Sequence, residues 1–312
     1  MGTKEVKVDR VIDHLKENKV FHNVDHVEKV NVGSGGAQLF MINDSGNEYI
    51  LKTSSPNIDP SLLKEYKFYA IKNSFHFIPE IIHTENHLDY GVIIVMKKYK
   101  TIKHEEWDYN LQLRAIDLCA KLNSMNKDKF TDLGIELNLV TLNGGFLKNS
   151  YDDWKYIVNK HNGDFDMEIV NDIYKNLDIV CPILNNGYQY ICHGDFHPEN
   201  ILFDNDGNLI ICDWQNIKIG KGIGDISFFI DRAIGFGINV NTDKLIEYYC
   251  MCLSKYTNSV IEKDILLKEK SAAALLSIFS FWAYYLKESD KERIFSFYDE
   301  MVNSFRYLQH NK

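Results

Sequence analysis

Apolar residues at Val8, Val11, Ile12 and Leu15 recur at spacings of three, one and three, which predicts an amphipathic helix over 8–19. The period then changes. Val30 and Val32 alternate with Lys29 and Asn31, and Gln38 to Ile42 and Tyr49 to Lys52 are short β-prone runs. They are punctuated by Gly33-Ser34-Gly35-Gly36 and by Asn43-Asp44-Ser45-Gly46-Asn47, both of turn composition. Pro60 to Asn73 reads as a helix, with Asp59 as its cap, Pro60 in its first turn and Leu62, Tyr66, Tyr69 and Ala70 at helical intervals. Two further runs, Ile78 to His83 and Gly91 to Met96, complete an expected sheet of about five strands.

Beyond Tyr99 the pattern is mainly helical, over Leu111 to Asn126, Tyr151 to Val158, Met167 to Ile183, Ile226 to Ile234 and most of Asp243 to Leu308. Phe130 to Gly145 reads as a loop. Phe279, Trp282, Ala283 and Leu286 are expected in a core, and Asp152, Asp153, Asp164 and Asp166 as solvated caps and loop acids rather than acceptor contacts. The class is α+β.

One segment breaks the helical pattern. Ile201-Leu202-Phe203 and Leu209-Ile210-Ile211-Cys212 flank Asp204-Asn205-Asp206-Gly207-Asn208, a hairpin signal. Just before it stands His193-Gly194-Asp195-Phe196-His197-Pro198-Glu199-Asn200, and just after it Asp213. The hairpin brings Asn200 and Asp213 together although they are thirteen residues apart, so two oxygen donors face one site, a set suited to Mg²⁺. Asp195 and Asn200 have the D-x-x-x-x-N spacing of kinase catalytic loops.

His193 to Asn200, with Cys212-Asp213-Trp214-Gln215, resembles the aminoglycoside phosphotransferase and choline kinase family, whose fold is similar to that of protein kinases. The resemblance implies a bilobal protein-kinase-like fold: a nucleotide-binding lobe, 1–98, with a small antiparallel sheet and one key helix, and a larger, mainly helical lobe, 99–312, for catalysis and acceptor binding. It implies ATP or GTP with Mg²⁺, and transfer of the γ-phosphoryl group to a small-molecule hydroxyl. Asp195 would orient and deprotonate that hydroxyl, and Asn200 and Asp213 would hold magnesium. Lys52 would bind phosphates, positioned by Glu65 in Glu65-Tyr66-Lys67-Phe68-Tyr69. Gly33, Ser34, Gly35 and Gly36 would cover the phosphates, and Met96, Lys97 and Tyr99 would form the hinge against the base. His193 would shape the loop, His197 would support it or touch phosphate, and Asp225 would buttress it from below or cap its helix. Many relatives carry histidine near the end of the 111–126 helix, where Asn123 stands here.

Composition narrows the acceptor. The chain has 312 residues, 45% of them hydrophobic, enough for a sizeable core without staples. Its net charge of −9 disfavours nucleic acid; such a balance more often serves solubility, and beyond that it leans toward a cationic acceptor such as an aminoglycoside or amino alcohol, with sugars as neutral alternatives. The six cysteines lack zinc-ligand spacing and read as thiols in a reducing cytoplasm. The charged N-terminus lacks a signal-peptide core, and the longest apolar run, Ala272 to Leu286, is short for a membrane span. His193 and His197 are four residues apart, but Gly194 and Pro198 oppose the helix that would pair them on a metal. A protein kinase is disfavoured because His-Gly-Asp replaces His-Arg-Asp and no Ala-Pro-Glu follows; a non-catalytic nucleotide-binding protein is the other alternative.

Overall fold

The computed structural model describes residues 8–30, 37–54, 60–70, 75–131, 134–135, 137, 139–161 and 163–311. The chain opens with α1 (Val8–Glu17), β1 (Val24–Val30), β2 (Gln38–Asp44) and β3 (Asn47–Thr53). Ser45 and Gly46, at φ 54° and 83°, make the two-residue turn that pairs Asp44 with Asn47 and Gln38 with Thr53. Two consecutive positive φ values match the twist of the strands they join. After α2 (Pro60–Ala70) come β4 (Ile81–His87) and β5 (Gly91–Lys97), giving an antiparallel sheet of order β1-β2-β3-β5-β4.

The fourth strand begins three residues later than its apolar run suggests and extends to His87. Pro79 has no amide to give a ladder, and Thr84 to His87 are polar because β4 is an edge strand.

β5 is buried along both faces. Ile93 and Val95 pack with Phe40, Ile42 and Leu51 beneath Val11, Ile12 and Leu15 of α1. Val92, Ile94 and Met96 pack instead with Leu62 and Phe68 of α2, in a core that continues into the helical region. The sheet is thus clamped between α1 and the rest of the molecule.

The next elements are β6 (Lys100–Thr101), α3 (Tyr109–Asn123), α4 (Asp128–Thr131), α5 (Gly144–Lys160), α6 (Met167–Asn176) and α7 (Val180–Asn185). The expected 130–145 loop therefore ends two residues early. Asn143 Oδ1 accepts the Gly145 and Phe146 amides, and this cap with the burial of Trp154 and Ile157 outweighs the poor helix propensity of two glycines. The expected 167–183 helix is divided by a 3₁₀ turn at Leu177–Ile179; Pro182, without an amide, cannot continue an α-helical ladder through that turn.

β7 (Tyr190–Cys192) pairs with β10 (Lys218–Gly220), and between them β8 (Ile201–Phe203) and β9 (Leu209–Ile211) form the expected hairpin, with β6 added to its edge. Asp204 Oδ1 accepts the Asp206 and Asn208 amides and so folds the turn. α8 (Ile223–Gly235), α9 (Thr242–Thr257) and α10 (Lys263–Ser277) follow; a π turn at Ile278–Trp282 leads into α11 (Ala283–Leu286), and α12 (Lys291–His310) ends the chain. Side chains of α5 bond to carbonyls of the π turn: Trp154 Nε1 donates to Phe279 and Ser150 Oγ to Ser280. Phe279, Ala283 and Leu286 are fully buried in a second core. No helix among the described residues is long and apolar enough to cross a membrane.

Candidate active site

Lys52 lies on β3 opposite Leu39 and Ile94, so its side chain turns toward α2, away from α1. Its ammonium donates to Glu65 Oε2 and to Asp213 Oδ1, each at 2.6 Å. Glu65, on α2, is wholly buried and also accepts the Trp214 amide at 3.3 Å through Oε1. Burial works against the Lys52 charge, but Glu65 and then Asp213 outweigh it and carry the ammonium well above the ordinary lysine range. For Glu65 burial is the largest influence and pushes the carboxyl up, against the pull of Lys52.

The loop after β7 is built by Asp225. Its two oxygens accept the His193 amide at 2.8 Å and the Gly194 amide at 2.9 Å, although Asp225 lies inside α8 and not at its cap, which is Gly222. Gly194 has φ 81°, and a Cβ there would overlap the backbone carbonyl of Asn216. The loop consequently lies directly on the 3₁₀ turn Trp214–Asn216, which Asp213 enters in the left-handed region at φ 65° and ψ 62°. A non-glycine residue in that region carries strain of about 1–3 kcal/mol and persists only where its surroundings fix it. Lys52 supplies one such restraint on the Asp213 carboxylate.

His193 is fully buried, and burial holds its pKa below the ordinary histidine value despite the nearby Asp225, Asp213 and Asp195. The neutral ring donates from Nε2 to the Cys212 carbonyl at 3.0 Å, which leaves Nδ1 to accept the Asp195 amide at 3.3 Å. Asn200 Nδ2 donates to the Asp195 carbonyl at 2.8 Å and to Asp195 Oδ2 at 3.2 Å. With its nitrogen so engaged, the Asn200 amide presents Oδ1 as its remaining hard donor. The Cys212 amide donates to the Asn200 carbonyl at 2.9 Å, which joins the two ends of the hairpin beside Asp213. Burial raises the Cys212 thiol to about 12, so it is no nucleophile.

Burial works to raise the Asp195 carboxyl, but His197 first, then His193 and Asn200, outweigh it and bring the pKa below the ordinary value. His197 Nε2 stands 3.8 Å from Asp195 Oδ2, and its buried Nδ1 has no hydrogen-bond partner. Lys52 thus joins Glu65 and Asp213, Asn200 joins Asp195, and the Cys212 backbone and the His193 ring tie the two groups together, with one ammonium among them against three carboxylates. Such an imbalance, with hard oxygen donors on Asn200 and Asp213, fits a divalent cation of the magnesium type.

The residues expected to form a hinge are partly committed elsewhere. The Lys97 and Lys98 amides donate to the Glu80 and Glu48 carbonyls, and Tyr99 Oη accepts the Glu80 amide. Gly33, Ser34, Gly35 and Gly36 lie outside the described residues. Asp153 and Asp164 pair with Lys287 and Lys291, and Asp166 caps α6.

Asn123 has a part its sequence position does not reveal. Its Nδ2 donates to the Ile191 carbonyl at 2.7 Å and to Asp225 Oδ2 at 3.3 Å, while Oδ1 accepts from Tyr249 at 2.8 Å. The residue that departs from the histidine of many relatives is therefore the buried bracket joining α3, β7, α8 and α9.

Residues 123–261, which include the loop, the hairpin and Asp225, match the sequence model of the ecdysteroid kinase-like family. No curated protein sequence matches the chain. Among solved structures, the ADP-bound aminoglycoside phosphotransferase APH(2'')-Ib is 18% identical with a TM-score of 0.57, over 95% of this chain and 97% of that one. The choline kinase of Cryptosporidium parvum Iowa II is 12% identical with a TM-score of 0.61, over 98% and 97%. The GDP complex of aminoglycoside 2'-phosphotransferase-IIIa is 13% identical with a TM-score of 0.60, over 97% and 98%. The chain has the fold of these small-molecule kinases. The resemblance first carried by residues 193–200 and 212–215 thus extends over nearly the whole chain, and the antiparallel-sheet and helical regions fall as that fold requires.

Proposed function

We propose that the protein transfers the γ-phosphoryl group of a magnesium nucleotide, ATP or GTP, to the hydroxyl of a small molecule. The observation that carries this reading is the bonding of Lys52 to both Glu65 and Asp213, together with that of Asn200, which holds Asp195 and is joined across the hairpin to Cys212, the neighbour of Asp213. The region 1–98 would serve as the nucleotide-binding lobe and 99–312 as the catalytic and acceptor-binding lobe. ADP and GDP in the structural neighbours support a nucleotide; six free thiols support a reducing, cytoplasmic setting.

Asp195, ionised at neutral pH, would accept the proton of the acceptor hydroxyl. The acceptor oxygen would form its bond to the γ-phosphorus as the bond from that phosphorus to the β-γ bridging oxygen breaks, and the nucleoside diphosphate would leave. Lys52, fixed by Glu65, would hold phosphate oxygens; Asn200 and Asp213 would hold magnesium, which when bound offsets phosphoryl charge. Positioning and charge stabilisation carry most of such a transfer.

Acceptor classes to test are aminoglycosides, amino alcohols and sugars, with polyhydroxylated sterols added by the ecdysteroid kinase-like match. A coupled assay of nucleoside-diphosphate release across these four classes, with ³¹P NMR of the products, is the decisive measurement. Phosphorylated acceptor is expected with wild type and not with Asp213→Ala, which should also lose magnesium-dependent nucleotide binding. Nucleotide binding with no transfer to any class would instead indicate a binding protein, and no binding at all would end the reading.

A further inference from the structure

Where α1 crosses the edge of the sheet, three imidazoles surround one carboxylate. His83, Glu85 and His87 are alternate residues of β4, opposite Val95, Ile93 and Gly91, so they share the face that α1 covers and lie across the sheet from Lys52. His14 reaches them from α1. Its Nε2 is 2.8 Å from Glu85 Oε2, and His83 Nε2 is 3.3 Å from the same oxygen. The His14 and His87 rings meet edge to face with centroids 4.7 Å apart. One donor atom from each of His14, Glu85 and His87 lies within 4.8 Å of the others, and all three residues are partly exposed.

We propose that His14, Glu85 and His87 form a zinc site that staples α1 to the edge strand of the sheet. Two imidazole nitrogens and one carboxylate oxygen are borderline donors that suit zinc, whereas magnesium and calcium take sets made of oxygen. Tetrahedral zinc needs donors about 3.3 Å apart, so the His14–Glu85 pair opens by about half an ångström when the ion replaces the bridging proton. His83 supports the carboxylate from outside the ligand set, as the outer partners of metal ligands do. Tyr90 stacks on His87 at 4.5 Å and 20° and holds the ring in place. His87 Nδ1 already presents a lone pair, since it accepts the Asp89 amide at 3.0 Å. A metal bond there exchanges that amide for the ion and leaves it, on an exposed residue, to water.

Glu85 is prepared to serve. Burial works to raise its carboxyl, but hydrogen bonds from His14 and His83 outweigh it and bring the pKa below the ordinary value. The ion would act on stability and not on phosphoryl transfer, because the cluster and the Lys52 site occupy opposite faces of the sheet.

The test is zinc titration of the full chain, freed of any histidine tag and stripped with chelator, by calorimetry at pH 7.5. One tight equivalent is expected. His83→Ala should weaken it roughly 10–100-fold, the range for an outer partner, and His14→Gln and His87→Gln should weaken it further. Zinc at a hundredfold excess over Kd should raise the unfolding midpoint by roughly 5 °C in wild type and leave both glutamine variants unmoved. X-ray absorption of zinc-loaded wild type, which needs no variant, should show two imidazole ligands. A shell of water alone, thiolate ligands, or equal affinity in wild type and His87→Gln would overturn the proposal and leave His14 and Glu85 as an ordinary hydrogen-bonded pair.

Discussion

Phe68 lies against Trp214 with ring centroids 4.3 Å apart and planes 19° from parallel. The two side chains are almost completely buried, and the indole Nε1 donates to the Ile211 carbonyl at 2.8 Å. Phe68 is one turn beyond Glu65 on α2, so the stack that fixes one end of that turn also aims the carboxylate at Lys52. Phe68→Ala should cost about 3–5 kcal/mol of stability and raise the apparent KM for nucleotide. Phe68→Leu, which keeps much of the volume, should lose less of both. Urea unfolding and nucleotide kinetics of the two variants check this; a Phe68→Leu variant with wild-type stability and KM would show that the ring stack contributes nothing beyond apolar volume.

The Lys52 pairing makes a second, quantitative expectation. Removing one member of a buried ion pair leaves the other uncompensated and costs about 3–5 kcal/mol. Lys52→Met should fall in that range, because Glu65 is fully buried. Lys52→Met with Glu65→Gln should recover part of the loss. A double-mutant cycle of unfolding free energies measures the coupling, and simple additivity would mean that the two groups do not depend on each other.

For Asp195 the direction of the pKa shift sets the pH dependence. Its carboxyl is held below the ordinary 3.8, so the native state binds fewer protons than the unfolded chain at mildly acid pH. The associated stability is present above the unfolded pKa and is lost as pH falls through the folded one. On the proposed chemistry, kcat/KM should stay flat on the acid side to about pH 4 unless the protein unfolds first. His197→Ala removes the leading acidifying neighbour and should move that limb upward. Asp195→Ala should lower turnover by about 10²–10⁴-fold with little change in nucleotide affinity. A pH–rate series on wild type and both variants decides, and an acid limb unmoved by His197→Ala would remove His197 from this role.

How much of this was legible in the chain follows from how local each feature is. The 201–212 hairpin and its flanking Asn200 and Asp213 could be read because turn residues, apolar runs and spacing lie within one short segment. The meeting of Lys52 with Asp213 spans 161 positions and becomes readable only through resemblance to a known fold. Asn123 could not be assigned, since its three partners lie on different elements and an amide replaces the expected ring. The polar half of β4 was hidden because an edge strand need not alternate apolar with polar residues. The same polarity holds the His14–Glu85 cluster, which forms no local ligand spacing because His14 lies 71 positions from Glu85.

Gly194 offers the most direct test of whether the loop and the turn behind it act as one unit. Its φ of 81° is unfavourable for any side chain, and its missing Cβ is where the Asn216 carbonyl sits. Gly194→Ala therefore meets two obstacles, neither of which a flexible side chain can relieve. To make room, the loop must lift from Trp214–Asn216, which would stretch the bonds from the His193 and Gly194 amides to Asp225 and shift Asp195 relative to Asp213. Strain at such a position costs about 1–3 kcal/mol, and displacement of reacting groups by about 1 Å costs on the order of 10²-fold in rate. Gly194→Ala should thus lose far more turnover than stability, and Gly207→Ala serves as the control, because that glycine has a similar φ of 79° with open space around its Cβ. If both variants lose stability alike and both keep wild-type turnover, the close approach of Gly194 to Asn216 does not position Asp195.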